Sequence, residues 1–138
     1  YNMAARDEAL ADAVTRAVRA VDPGVTVFAP GRSALSRAAE ANGLAVACEV
    51  FADRNYLPDG SLVPRGRPDA LLHDPAEAAE RVFRMLREEK VRAIDGTDVV
   101  VEVDTVCIHG DTPGAVEFAR ELRRALHQTG IVVAAPGR

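Results

Sequence analysis

The chain has 138 residues, 48% of them hydrophobic and 28% charged, which is enough material for one globular domain with a core. Its net charge of −4 excludes a general binder of the nucleic-acid backbone, because such proteins carry a basic face. No stretch approaches the ~20 apolar residues that span a membrane, and the start lacks the apolar region of a secretion signal. Cys48 and Cys107 lie in apolar runs without metal-ligand spacing, which favours reduced core thiols and a cytoplasmic location.

The first part of the chain predicts two helices, each followed by a strand. Apolar residues recur at helical spacing over residues 7–21, and a β-branched run follows over residues 25–29. A second helix is predicted over residues 34–41. A second buried strand is predicted over residues 44–48.

The central part begins with a long segment of irregular sequence. Residues 52–73 have no sustained period, so we predict an ordered loop of the length that functional loops and lids have. A helix should follow, with Asp74 as its acidic cap and Pro75 in its first position, and should run to about Lys90.

The last part predicts a hairpin, a strand, a helix and a strand. Residues 91–103 carry Asp95-Gly96 at their centre, which is typical of a hairpin turn. A buried strand is predicted over residues 103–108. The next helix should be capped by Asp111-Thr112-Pro113, and a terminal strand should cover residues 131–135.

Alternation of strands and helices predicts an α/β fold of parallel β/α units with right-handed crossovers. The units are too few to close an eight-stranded barrel, which takes roughly 250 residues. The chain is therefore either a small open α/β domain or part of a larger barrel. Its first residue is Tyr1 rather than Met, which favours the second alternative.

Candidate chemistry lies where strands end, since parallel α/β folds collect their functional groups there. His109 closes a predicted strand and Asp111 opens the next helix, so the two side chains could act as base and orienter or as metal ligands. The helix start beside Gly114 offers N–H groups to an anion. The alternative is that Asp111 only caps the helix and His109 only satisfies a carbonyl.

Two further groups of residues are candidates. Glu49 follows a predicted strand and could act as acid or base, while Asp53 and Arg54 could equally form an ion pair that holds the loop. Within the loop, Tyr56 and Arg65 could bind a substrate, since an arginine can clamp a carboxylate with two hydrogen bonds. The alternative is a solvated loop. The sequence has no Walker A motif and no G-x-G-x-x-G motif, so the chain does not itself look like an ATP-binding module.

Several ordered motifs carry a family resemblance. They are Glu-Val-Phe-Ala-Asp-Arg at residues 49–54, Pro-Asp-Gly-Ser-Leu-Val-Pro-Arg at 58–65, His-Asp-Pro at 73–75, Val-Arg-Ala-Ile-Asp-Gly at 91–96 and His-Gly-Asp-Thr-Pro-Gly at 109–114. With these motifs the chain resembles the C-terminal half of a LamB/YcsF-family protein. Tyr1-Asn2 look like the tail of a further family segment.

The resemblance implies a single domain, residues 1–138, that is part of a distorted, TIM-like, seven-stranded β/α barrel similar to glycoside hydrolases and deacetylases. It also implies an enzyme, the A subunit of an ATP-dependent 5-oxoprolinase, which opens the lactam of 5-oxo-L-proline to L-glutamate together with B and C subunits. The complex consumes the ATP. The implied catalytic residues are Glu49, His109 and Asp111, and the implied substrate-binding residues are Asn2, Asp53, Arg54, Tyr56 and Arg65.

The chain departs from the family because the N-terminal half is missing, so we expect this fragment alone to be inactive and to leave an apolar surface or a sheet edge uncovered. Two alternatives stay open at this point: a metal-dependent, deacetylase-like hydrolase, and a non-catalytic α/β binding module. A bound divalent metal and a homo-oligomer are also left open.

Overall fold

The computed structural model describes residues 1–111 and 114–135, which form two compact units. The first unit contains Tyr1–Val50 and Glu102–Thr105, and the second contains Phe51–Val101 and the residues from Val106 onward. Within the described residues, no helix is both long and apolar enough to cross a membrane.

The first unit is built from two helices and a parallel strand pair. Helix α1 spans Glu8–Val21, β1 spans Thr26–Ala29, α2 spans Ala34–Ala41 and β2 spans Ala45–Phe51. Strands β1 and β2 pair in parallel, from Thr26 opposite Ala45 to Ala29 opposite Cys48. Helix α1 packs on α2, and small side chains such as Ala11, Ala29 and Ala34 form the core between them. The predicted elements and their parallel pairing are confirmed.

The second unit places two helices against each other. Helix α3 spans Pro75–Glu88 and α4 spans Ala115–Gln128. Their apolar faces meet in one cluster through Ala78, Val82, Phe118, Leu122 and Leu126. Asp74 caps α3 as predicted, since its carboxylate accepts the N–H of Ala76 at 2.8 Å.

A hairpin and a short strand complete the second half of the chain. Strands β3 (Lys90–Arg92) and β4 (Asp98–Val100) pair antiparallel around Asp95-Gly96, as predicted. Strand β5 (Thr105–Cys107) belongs to the same sheet as the first two strands, in the order β1-β2-β5. Within the described residues β1 is an edge strand, and Phe28 on it is exposed, so a sheet edge is uncovered as expected.

Three details of the prediction are wrong. Strand β2 continues to Phe51, so Glu49 lies inside the strand instead of ending it. Residues 131–135 are not a strand, because no described strand offers them a backbone partner; Ile131 packs on the α3–α4 cluster, whereas Val132 is exposed. Helix α4 is preceded by Gly114, with φ of 82°, and has no side-chain cap hydrogen bond. Asp111 does not cap it, and Thr112 and Pro113 lie outside the described residues.

The loop over residues 52–73 is ordered, as expected, by hydrogen bonds within itself. The N–H of Leu72 donates to the carbonyl of Asp53, and that of Asn55 donates to the carbonyl of Ala70. Isolated bridges pair Arg54 with Leu71 and Tyr56 with Leu62. The segment therefore folds back on itself, with its two sides antiparallel.

Candidate functional site

Asp53 and His109 form a closely bonded pair in the second unit. Both oxygens of the Asp53 carboxylate lie 3.0 Å from Nδ1 of His109, and Oδ2 also accepts the backbone N–H of His109 at 3.0 Å. The Asp53 side chain is only 7% exposed and that of His109 is 21% exposed. Asp53 follows the end of β2 and His109 follows the end of β5, which is where the sequence predicted functional groups. We call these two residues the dyad.

An aromatic ring fixes the imidazole from one face. The rings of Phe51 and His109 are stacked, with centroids 5.7 Å apart and an angle of 13° between their planes. The buried Tyr56 hydroxyl accepts the backbone N–H of Phe51 at 2.8 Å, so the loop holds the end of β2 in place. Tyr56 was predicted to bind substrate. In the structure its hydroxyl binds the backbone of Phe51, whose ring stacks on the imidazole of His109.

A small cavity of about 120 Å³ opens beside the dyad. Asp53 and His109 line it together with apolar Leu72 and Ile108 and with the first residue of α4, Ala115. Among the described residues no side chain caps α4, and the first N–H groups of a helix can bind an anionic ligand. His73, from the His-Asp-Pro motif, also lines this cavity.

Asp111 is bound by Arg65 in an exposed ion pair. Nη1 of Arg65 donates to Oδ2 of Asp111 at 2.9 Å. The guanidinium lowers the pKa of the Asp111 carboxyl from its ordinary value. Asp111 is therefore a carboxylate at neutral pH and can accept, but not donate, a proton.

Arg54 is buried, and its guanidinium is only partly hydrogen-bonded. It is 3% exposed, Nη2 donates to the carbonyl of Val63 at 2.6 Å, and Nε has no hydrogen-bond partner. Within residues 1–111 and 114–135 no carboxylate forms an ion pair with it. Burial lowers its pKa, and the nearby positive charge of Arg65 lowers it further. A buried cation with an unpartnered donor is the kind of group to which an anionic ligand can bind.

Arg81, in the same unit as Arg54, makes hydrogen bonds with both terminal nitrogens of its guanidinium. Its Nη1 donates to the carbonyl of Arg54 at 2.8 Å and its Nη2 to Oδ1 of Asn55 at 2.7 Å. The sequence analysis did not single out this side chain, because an arginine in the middle of an amphipathic helix is ordinarily solvated.

Two of the predicted site residues belong to the first unit. Glu49 is half-buried within β2, and Asn2 is exposed in the turn before α1. Their approach to His109 stays a prediction.

The first unit also contains a polar cluster that the sequence analysis missed. Cys48 was expected to be a core thiol, but it is half-buried, and its Sγ lies 3.5 Å from Oε2 of Glu102. Glu102 also accepts a hydrogen bond from Nε of Arg32 at 2.8 Å. Burial, helped by Glu102, raises the pKa of the Cys48 thiol to about 11, so it is protonated and unreactive at neutral pH. Nothing in the spacing of these residues indicates that they meet.

Metal ligation was left open by the sequence. Among the described residues, no group of three or more His, Cys, Asp or Glu side chains is placed to hold an ion.

The chain is similar to known proteins over its whole length. The LamB/YcsF family profile matches residues 1–138. The chain is 51% identical over 138 residues to the A subunit of 5-oxoprolinase from Geobacillus kaustophilus, covering 100% of this chain and 54% of that protein. It is 50% identical over 133 residues to the A subunit of 5-oxoprolinase from Oceanobacillus iheyensis, covering 96% and 52%.

The chain is also similar to a solved structure. The crystal structure of a lactam utilization protein from Thermus thermophilus matches with a TM-score of 0.85 and 44% identity, over 96% of this chain and 52% of that one. The chain thus spans about half the length of the curated relatives that it matches. With a profile match over every residue, the chain belongs to the LamB/YcsF family.

Proposed function

We propose that the intact subunit containing this chain opens the lactam of 5-oxo-L-proline to L-glutamate, together with B and C subunits that couple the reaction to ATP hydrolysis. The observation that carries the proposal is the dyad beside an open cavity, in a chain about half identical to proteins named as the A subunit of 5-oxoprolinase. The other half of the subunit would complete a distorted β/α barrel around this site. A cytoplasmic location is part of the proposal.

The chemistry requires activation of a poor electrophile. Transfer of a phosphoryl group from ATP to the lactam oxygen would make the ring carbonyl carbon reactive. A water oxygen then bonds to that carbon while the water gives up a proton, and the carbon–nitrogen bond breaks. Its electron pair stays on nitrogen, which takes a proton and becomes the amine, while the carbon is left as an acyl phosphate. A second water then cleaves the acyl phosphate, which releases inorganic phosphate and leaves the side-chain carboxylate of L-glutamate. One base and one acid are therefore needed.

His109 is the proposed base, because its ring is held by Asp53 and lines the cavity. Asp111 does not fit the role of acid, since Arg65 keeps it ionised. It would instead stabilise positive charge near the imidazole. Glu49 is the proposed second acid–base group of the intact site.

Arg54 fits the substrate carboxylate better than Arg65 does. Arg65 already binds Asp111 and is about half exposed, so a new partner would replace an existing one. Arg54 is desolvated, and its Nε has no hydrogen-bond partner among the described residues. A charge-assisted bond formed there is stronger than one at the surface, because water competes less.

The experiment is an assay of 5-oxoproline-dependent ATP hydrolysis and glutamate formation by the intact subunit with its partners. We expect His109→Ala and Glu49→Gln each to abolish glutamate formation without loss of the fold. His127→Ala is the matched control, because His127 is exposed in the last turn of α4. Near-normal turnover in both site variants would leave the residues as structural groups.

A further inference from the structure

We propose that Asp53 acts through His109, as a positioning residue, by selecting the tautomer in which Nδ1 carries the proton. The inference rests on the proposed function, since it concerns the same site. It changes the role of Asp53 from substrate binding, which the sequence predicted, to control of the base.

The geometry around Asp53 supplies the first step. An ionised carboxylate only accepts hydrogen bonds, and both of its oxygens lie 3.0 Å from the same ring nitrogen, Nδ1 of His109. Nδ1 must therefore be the nitrogen that bears the proton. In a neutral imidazole the other nitrogen, Nε2, is then unprotonated and can accept.

The second step is that the ring is held in one orientation. Oδ2 of Asp53 also accepts the backbone N–H of His109, so backbone and side chain are bound to the same carboxylate. Phe51 stacks on the ring and limits its tilt. In the part of the chain that the structure describes, Nε2 has no hydrogen-bond partner, and the ring lines the cavity. Nε2 is thus the atom left to take the proton of the attacking water.

The third step concerns the contacts that Asp53 already makes. The residue is 5% exposed, and its oxygens already serve three contacts with His109. A substrate group that bonded to Asp53 from the cavity would compete with His109 for the same two oxygens. The arrangement follows the general logic of a base oriented by a buried carboxylate, in which loss of the carboxylate charge costs about 10⁴ in kcat through the wrong tautomer.

The test combines a spectroscopic readout with kinetics on the intact subunit. The ring nitrogens of His109 are assigned by ¹⁵N NMR over a pH series, in the wild type and in Asp53→Asn, with Asp69→Asn as control. Asp69 lies in the same loop and binds Arg67 instead of His109. In the wild type we expect neutral His109 to carry its proton on Nδ1. In Asp53→Asn we expect a shift towards the Nε2–H form, a fall in kcat of about 10³- to 10⁴-fold, and little change in KM.

The outcomes separate the inference from the proposed function. A wild-type ring protonated on Nε2 overturns the inference, as does an unchanged tautomer in Asp53→Asn accompanied by a large fall in kcat. If the tautomer shifts as expected but His109→Ala retains full turnover, Asp53 does select the tautomer, but His109 is not the base and the proposed function of this site fails. Should Asp53→Asn not fold, Asp53→Glu keeps the charge and must retain the Nδ1–H form; if it does not, the inference falls.

Discussion

Replacing Arg54 by methionine tests two consequences of burying its guanidinium, one for the stability of the protein and one for catalysis. If the site is built for an anionic substrate, the free protein is less stable than it could be, because a charge is held away from water without an ion pair among the described residues; the charges of Asp53 and Asp111 offset only part of that cost. Arg54→Met removes that charge and fills much of the same volume. The free energy of unfolding and kcat/KM should therefore change independently of each other.

The magnitudes follow from the hydrogen bonds that each arginine makes. Arg54→Met loses one charge-assisted bond, to the carbonyl of Val63, which is worth ~1.5–3 kcal/mol. It also removes a desolvation cost of several kcal/mol for the buried ion. We expect its free energy of unfolding to rise, or to fall by less than about 1 kcal/mol. Arg81→Met loses two bonds and leaves both acceptors behind, so its free energy of unfolding should fall by about 2–4 kcal/mol.

The assay is urea unfolding of the intact subunit, paired with the steady-state kinetics of the complex. Loss of a buried contact to the substrate carboxylate should cost Arg54→Met about 3 kcal/mol, or roughly a 100-fold fall in kcat/KM. Arg81→Met should retain turnover once it is folded. If Arg54→Met is destabilised as strongly as Arg81→Met and its kcat/KM is unchanged, Arg54 is a structural residue and the carboxylate site is elsewhere.

The remaining predictions concern single groups. Tyr56→Phe leaves the last N–H of β2 without its acceptor, so urea unfolding should show a loss of about 1–2 kcal/mol; no change would mean that water replaces the hydroxyl. The alkylation rate of Cys48 should keep rising up to a pH of about 11, because burial raises the pKa of its thiol, and Glu102→Gln should lower that midpoint. The same raised pKa gives stability that is complete below the ordinary thiol pKa and is lost as the pH approaches 11. Arg65→Met should raise the lowered pKa of Asp111 towards its ordinary value in an NMR titration, since Arg65 is the largest cause of the shift; the wild type keeps the stability from this pair above the ordinary pKa and loses it as the pH falls through the lowered one.

Local signals in the sequence predicted most of the regular structure. The cap at Asp74 and the turn at Asp95-Gly96 are decided by a few neighbouring residues, and both were predicted correctly. The strand over residues 131–135 was predicted wrongly, because apolar β-branched residues form a strand only where another backbone is available to pair with them. Long-range pairing is outside what spacing can show.

Only part of the candidate site was predicted, because residue spacing does not show long-range contacts. A strand end indicated His109 as a candidate and the family resemblance indicated Asp53, but their roles depend on which atoms meet in space. Asp53 and His109 are 56 residues apart in the chain, and no local pattern indicates that one carboxylate binds both the backbone and the ring of the other residue. The cap predicted at Asp111 was wrong because Arg65 binds that carboxylate instead.

Because internal hydrogen bonds hold the loop over residues 52–73, its backbone loses conformational entropy when the chain folds and not when a ligand binds. Each fixed residue costs roughly 1–2 kcal/mol of backbone entropy, and a mobile lid would incur that cost each time a substrate binds. Here the bonds of Asp53 with Leu72 and of Asn55 with Ala70 are made within the folded chain. Amide hydrogens at these positions should therefore exchange slowly without a ligand, and the segment that carries Asp53 is preorganised before a ligand binds.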